Sequence, residues 1–253
     1  MPDALDRRVS SPWISAYADR SGHMVFAKPV ALFATLDAIA LDEVHGAART
    51  RAIDAGQTFF REGDTATAFF VLNTGSVKLT QLTPEGHQVV LRLLSAGDAF
   101  GGVAAFGGAT YPVTAEAVTS ASAYEWPGDV MADLMERHSR LAVNALKFVA
   151  ARLHELQVQY RQLATEKVER RVARALLRLV QQAGRRIESG VLIDLPLSRE
   201  DIAQMTGTTL YTVSRIISRF ESEGLLEAGR QRVVIRNPHG LLKVADDVDA
   251  SSG

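Results

Sequence analysis

The chain of 253 residues contains no cysteine. That absence excludes disulfides, thiolate zinc sites, iron–sulfur clusters held by the chain's own sulfurs and a thiolate haem ligand. Excess charge of one sign is also missing: 28 Lys and Arg face 29 Asp and Glu, a net of −1. Any nucleic-acid contact must therefore come from a local basic region rather than from the whole surface. No apolar run is long enough to span a bilayer, and the N-terminus lacks a basic stretch followed by an apolar one. These absences predict a soluble, cytoplasmic protein with no membrane partner. Internal repeats, low-complexity blocks and a phosphate-cradling glycine loop are missing as well. What is present is 47% hydrophobic content, enough for two modest cores.

The most informative stretch runs from Leu197 to Leu226, LSREDIAQMTGTTLYTVSRIISRFESEGLL. Ser198 with Asp201 three residues later has the spacing of a capping box, which starts a short helix. Ile202, Ala203 and Met205 give that helix an inner face, and Gly207 supplies a tight bend. Thr208 and Thr209 are cap-type residues that begin a second helix. Val213, Ile216, Ile217 and Phe220 recur at helical spacing and are expected to face a core. Leu210, Tyr211, Ser214 and Arg215 are then left outside, as in a helix-turn-helix recognition helix whose first turns enter the major groove. Arg215 is the candidate base reader, because its planar fork matches the O6 and N7 acceptors of guanine. Thr209 and Arg199 are expected at the phosphate backbone. A plain two-helix hairpin with a solvated arginine is the competing reading.

The residues beyond this segment favour the helix-turn-helix. After Gly224-Leu225-Leu226 comes a turn, Ala228-Gly229-Arg230-Gln231, and then the alternating run Arg232 to Arg236, the pattern of a β-wing. Arg230 and Arg232 on such a wing suit phosphate contacts. From Glu166 to Lys243 there are 14 Lys and Arg against nine acids, a local net of +5.

Upstream, from about Thr50 to Trp126, short β-runs alternate with glycine turns. Gln57–Phe60, Ala68–Leu72, Ser76–Thr80 and Gln88–Leu91 are the clearest runs, separated by Gly63-Asp64, Thr74-Gly75, Glu85-Gly86 and Ala96-Gly97-Asp98. An antiparallel barrel or jelly roll is predicted. Beyond Pro127, Leu146, Val149, Leu153, Leu156, Tyr160 and Leu163 step by three and four residues, a heptad seam flanked by Arg152, Glu155, Gln157, Gln159 and Arg161. The seam predicts a parallel two-stranded coiled coil and a homodimer, with packing on the chain's own barrel as the other possibility.

In this order of parts, the stretches REGDTATAFFVLNTGSVKL and AGDAFGGVAAFGG, the long helix and the segment LSREDIAQMTGTTLYTVSRIISRFESEGLL resemble the cyclic-AMP receptor protein and fumarate–nitrate reduction regulator superfamily, from about Ala27 to His239. The resemblance implies an α+β homodimeric bacterial transcription factor that binds palindromic double-stranded DNA. It would have an arm at 1–25, a sensory β-roll at 26–136, a dimerisation helix at 137–165, a winged helix-turn-helix at 166–245 and an acidic tail at 246–253. RNA polymerase is the implied partner of an activator.

The effector pocket that the family would build from Gly101, Gly102, Val103, Tyr111, Pro112 and Val113 departs from the nucleotide-binding pattern. Gly102 stands where binders of cyclic AMP carry a glutamate for the ribose, and Tyr111-Pro112 or Pro112-Val113 stands where they carry Arg-Ser for the phosphate. A buried cyclic phosphate without that arginine is costly, so an effector other than cyclic AMP is expected. The oxygen-sensing branch needs cysteines that are absent. The segments TGTTLYTVSRI and FGGVAAFGGATYPVTAEAV are closest to the nitric-oxide-responsive denitrification regulators, which implies haem. His87 and His154 are the candidate axial ligands, with a surface or interfacial imidazole as the plainer reading of each and of His23, His45, His138 and His239.

Tyr211 replaces the glutamate that many members carry before Thr-Val-Ser-Arg, which points to an altered half-site. Two other functions compete. One is a constitutive DNA binder with a vestigial pocket; the other is a β-barrel enzyme with a helical tail, disfavoured because no base, nucleophile or metal set converges in the β segment.

Overall fold

The computed structural model of the chain describes residues 29–246. The arm expected at 1–25 and residues 247–253 of the expected tail lie outside the described residues.

A 3-10 turn at Ala31–Phe33 leads into helix α1 (Ala38–Gly46), started by the Asp37 carboxylate accepting from the Ala40 amide. Eight strands follow: β1 (Arg49–Ile53), β2 (Thr58–Phe60), β3 (Ala68–Thr74), β4 (Val77–Leu82), β5 (Gln88–Leu94), β6 (Ala99–Phe100), β7 (Thr114–Ala117) and β8 (Ala121–Pro127). They pair antiparallel in two sheets of four, ordered β1-β8-β3-β6 and β2-β7-β4-β5, the two layers of a β-roll.

Strand β3 explains the run Ala68-Phe69-Phe70-Val71-Leu72, which shows no alternation because it is buried on both faces. Phe70 and Leu72 enter the roll among Phe59, Phe60, Phe100 and Tyr111. Phe69 and Val71 face the other way, toward Phe33, Val44, Trp126 and Met131. The Trp126 indole is fully buried and its Nε1 donates to the Val44 carbonyl at 2.8 Å, so the polar end of the ring is satisfied. Gly75 marks a turn that tolerates no side chain: its φ is +83° and a Cβ would lie 2.4 Å from the Ser120 carbonyl oxygen.

Helix α2 (Gly128–Arg137) breaks at His138 before the long helix α3 (Ser139–Thr165), whose 27 residues span about 40 Å at 1.5 Å per residue. Its first turns are anchored on the roll. Leu141 and Ala145 are buried, and the Asn144 amide donates to the carbonyls of Leu32 and Ala34 at 3.1 and 2.6 Å. The rest leaves an apolar stripe uncovered: Leu146, Val149, Leu153, Leu156, Tyr160 and Leu163 are all exposed, Tyr160 by 75%.

An extended pair, Glu166 and Lys167, separates α3 from helix α4 (Val168–Ala183). Beyond lie a hairpin, β9 (Gly184–Ile187) and β10 (Gly190–Ile193), then α5 (Arg199–Thr206), α6 (Leu210–Ser222), β11 (Leu226–Gly229), β12 (Arg232–Ile235) and α7 (Pro238–Asp246). The four strands form a sheet ordered β11-β12-β10-β9. The core of this region gathers Leu176, Leu179, Ile202, Val213, Ile217 and Phe220, and it also takes in Val90 and Leu93 from β5 of the roll. Three core clusters therefore form where composition suggested two, because β3 serves two of them and β5 is shared with the C-terminal region. The β-roll, long helix and winged helix-turn-helix of the expected α+β fold are all present.

Candidate nucleic-acid interface

Helix α5 starts where the cap pattern places it. The Asp201 amide donates to Ser198 Oγ at 3.0 Å, and the Ser198 amide donates to Asp201 Oδ2 at 2.9 Å, a reciprocal cap in which an aspartate replaces the usual glutamate. The helix ends at Gly207, which adopts φ +60° and sits so close to α3 that a Cβ would lie 2.9 Å from Leu163 Cδ1. Arg171 of α4 fastens the turn from below, with Nε donating to the Thr206 carbonyl at 3.0 Å and Nη1 to the Glu166 carbonyl at 2.8 Å.

Thr209 caps α6, its Oγ1 accepting from the Thr212 amide at 3.2 Å. Val213, Ile216, Ile217 and Phe220 are buried, which forces the opposite face of the helix outward. Leu210 and Tyr211 are exposed by 47% and 78%, Ser214 is half-buried and Arg215 is exposed. Among the described residues Arg215 has no hydrogen bond or ion pair. Arg219, one turn later, is tied to Glu169 and to Glu223 at 3.5 Å. Two arginines one turn apart thus have opposite conditions: one is a structural tether, the other a donor with its full capacity unspent.

The wing is a hairpin with a two-residue turn, Arg230-Gln231, in which Gln231 takes φ +55°. Arg230 is exposed and unpaired among the described residues, whereas Arg232 lies 3.6 Å from Glu227. Arg236 hydrogen-bonds the same carboxylate, and that contact holds Glu227 below the usual carboxylate range. Arg199 at the start of α5 lies 3.8 Å from Glu221. The first turns of α6 and the wing tip therefore carry free cations, while Arg199 and Arg232 are partly compensated. Sequence reasoning missed the β9–β10 hairpin that completes the sheet; Arg185-Arg186-Ile187 and Val191-Leu192-Ile193 around Ser189-Gly190 are the signal that was there to read.

A cyclic nucleotide-binding domain family matches residues 50–138, and a Crp-like helix-turn-helix domain family matches residues 170–244. The chain belongs to the CRP/FNR family of transcriptional regulators. Family members similar to it include the transcriptional activator protein FnrA of Stutzerimonas stutzeri, 28% identical over 209 residues, covering 83% of this chain and 84% of that protein. The fumarate and nitrate reduction regulatory protein of Escherichia coli K12 is 26% identical over 197 residues, 78% of each chain. Among solved structures, a CRP-family transcriptional regulator from Thermus thermophilus is 27% identical with a TM-score of 0.65, over 77% of this chain and 96% of that one. FixK2 of Bradyrhizobium japonicum, at 23% identity and a TM-score of 0.71 over 79% and 98%, supports the fold alone. FnrA and the Thermus thermophilus protein are transcriptional regulators by name, and this CRP/FNR chain is a DNA-binding transcriptional regulator rather than an enzyme.

In this CRP/FNR roll the residues expected to line an effector pocket lie as follows. Gly101, at φ +71°, starts a 3-10 turn, Gly102–Ala104. Gly102 borders a small apolar hollow of about 20 Å³ with Phe106 and Met131. Val103 and Val113 pack against the aromatic core. Tyr111 is buried inside it, its ring stacked on Phe60 with centroids 3.7 Å apart. The Tyr111 hydroxyl donates to the Ala68 carbonyl at 2.7 Å and accepts from the Ala68 amide at 2.9 Å. The Pro112 carbonyl accepts from Gln81 Nε2 at 2.8 Å. These six positions are distributed between a turn, a core and a strand edge, and the Tyr111 ring occupies part of the interior itself.

His87 lies exposed at the β4–β5 turn and His154 exposed on α3, and neither lines the large cleft beside α3. An iron-bound imidazole needs an enclosed slot for the macrocycle, so these positions do not fit an axial haem ligand. Among the described residues no helix is long and apolar enough to cross a membrane.

Removal of the Ser198 hydroxyl leaves the Asp201 amide without its cap. Ser198→Ala is expected to cost about 1 kcal/mol, read as a lower urea midpoint at unchanged slope.

Proposed function

We propose that the chain works as a homodimer that reads palindromic DNA through two copies of α6 and responds to a small effector other than cyclic AMP. The single observation that carries the reading is the contrast on α6: Leu210, Tyr211 and Arg215 face outward with Arg215 unpaired, while Arg219 behind them is spent on Glu169.

In this reading Arg215 grips a guanine edge. Leu210 and the Tyr211 ring offer apolar contact to a thymine methyl, and the Tyr211 hydroxyl replaces a carboxylate that would accept from cytosine. Thr209 and Ser214 lie beside the helix N-terminus and, with Arg199, Arg230 and Arg232, hold the phosphate backbone. Those contacts set position and salt dependence rather than sequence.

The α3 stripe supports the dimer. Six large side chains at heptad spacing stay in water in a single subunit, and a second copy of the same helix is the surface that matches a 3.5-residue period. Two-fold pairing along α3 would set the recognition helices about 34 Å apart, one turn of duplex. RNA polymerase is the further partner if the regulator activates, and the location that follows from DNA binding is the cytoplasm.

Against cyclic AMP stand Gly102, the missing Arg-Ser pair and the Tyr111 ring inside the roll. The same filled interior favours a second reading, a constitutive DNA binder whose ancestral pocket is closed. Nitric-oxide sensing through haem, which the sequence resemblance implies, draws no support from His87 or His154, which are both exposed.

Arg215→Ala is expected to abolish preference for operators with the matching guanine, a loss of about 1–3 kcal/mol per half-site, while the dimer persists. Gel-shift titrations with matched and guanine-substituted operators measure this; unchanged discrimination would remove Arg215 from its role. Cyclic AMP at millimolar concentration is expected to leave the thermal midpoint of the purified protein where it was, since a ligand at a hundred times its Kd would add about 2.7 kcal/mol. A clear upward shift would contradict the closed roll.

A further inference from the structure

We propose that the first turn of α6 sorts pyrimidines by the methyl group at C5: through Leu210 and Tyr211 the chain accepts thymine and 5-methylcytosine and discriminates against unmethylated cytosine. The inference rests on the reading of α6 as the base-contacting helix and names the chemical class that its first turn takes. Leu210 is 47% and Tyr211 78% exposed, on a face whose next members, Ser214, Arg215 and Ser218, are polar. The C5 methyl is the apolar group that base pairs present in the major groove, and it is the surface that two large apolar side chains on a reading helix can cover.

The polar groups beside this pair are already committed. Thr209 Oγ1 accepts from the Thr212 amide at 3.2 Å and shares a hydrogen bond with Thr212 Oγ1 at 3.0 Å, so both hydroxyls serve the helix cap. The carboxylate of α6 is Glu221, close to the far end of the helix, where it accepts from the Ala228 amide at 3.0 Å and lies 3.8 Å from Arg199. No acid of α6 therefore stands on its first two turns to accept from the N4 amine of cytosine, the contact that would favour cytosine over thymine. The Tyr211 hydroxyl has no hydrogen bond among the described residues, and it works both ways. It donates to the O4 of thymine or accepts from the amine of 5-methylcytosine. The 4-position of the pyrimidine then discriminates little, and the 5-position decides.

Arg215 fixes where that methyl lies. Residues four apart on a helix share a face one turn, about 5.4 Å, apart, against about 3.4 Å between base pairs. The pyrimidine under Tyr211 is therefore expected within about two base pairs of the guanine under Arg215. Covering one methyl corresponds to about a fourfold change in affinity per half-site. Cytosine methylation inside the half-site then raises occupancy instead of blocking it, a regulatory input carried by the DNA itself.

In the test, the full chain selects a site from a pool of random duplexes, and the recovered half-site is resynthesised with thymine, deoxyuridine, cytosine or 5-methylcytosine at each pyrimidine position. At one position near the Arg215 guanine, exchange of thymine for deoxyuridine is expected to weaken binding about fourfold per half-site, and methylation of cytosine to tighten it by a similar factor. Tyr211→Phe keeps the ring and is expected to keep both effects. Tyr211→Glu is expected to lose both and to prefer cytosine to thymine there, while the guanine preference set by Arg215 persists. Recovery of no recurrent site would remove the DNA-reading function itself. A recurrent site at which deoxyuridine equals thymine at every position, 5-methylcytosine that binds no tighter than cytosine, or methyl effects unchanged in Tyr211→Glu would overturn the methyl reading alone.

Discussion

The interaction on which the rest depends is the burial of one side of α6. Val213, Ile216, Ile217 and Phe220 each give up water for a core shared with α4 and α5, at about 25 cal/mol for each Å² of apolar surface removed. Because those four positions follow the helical period, fixing them inward leaves Leu210, Tyr211 and Arg215 no choice but solvent. The helix-turn-helix is thus a packing solution whose by-product is an outward row of side chains. Function needs that row to be rigid, and the reciprocal Ser198–Asp201 cap, the Gly207 turn and the Arg171 hydrogen bonds supply the rigidity from three directions.

The second constraint is the sharing of β5. Val90 and Leu93 belong to the core of the C-terminal region although the strand is part of the roll, and Gln182 adds hydrogen bonds to the same edge. The orientation of α6 is therefore tied to the surface of the roll and not only to the α3–α4 link at Glu166 and Lys167. A change in the roll that moved β5 would be transmitted through packed side chains rather than through a flexible joint. The aromatic interior lies on the other side of that sheet, where Tyr111 takes the space a ligand would need.

Much of this was legible in the chain, and for identifiable reasons. The cap at Ser198, the turn at Gly207 and the four-residue inner face of α6 are local devices, so spacing alone reveals them. The α3 seam was legible for the same reason, since a run of exposed apolar residues keeps its period whether or not a partner is present. The fate of Tyr111 was not legible, because its stacking on Phe60 joins residues far apart in sequence and depends on how two sheets close. The β9–β10 hairpin hid behind two arginines that masked its alternation.

The claim that two outward α6 faces meet one continuous duplex is tested most directly by hydroxyl-radical footprinting of the full chain on a palindromic operator. Two protected patches on the same face of the duplex, centred about 10–10.5 base pairs apart or at a multiple of that spacing, are predicted. A single isolated patch, or protection that does not change when the spacing between half-sites is altered by half a turn, would contradict it.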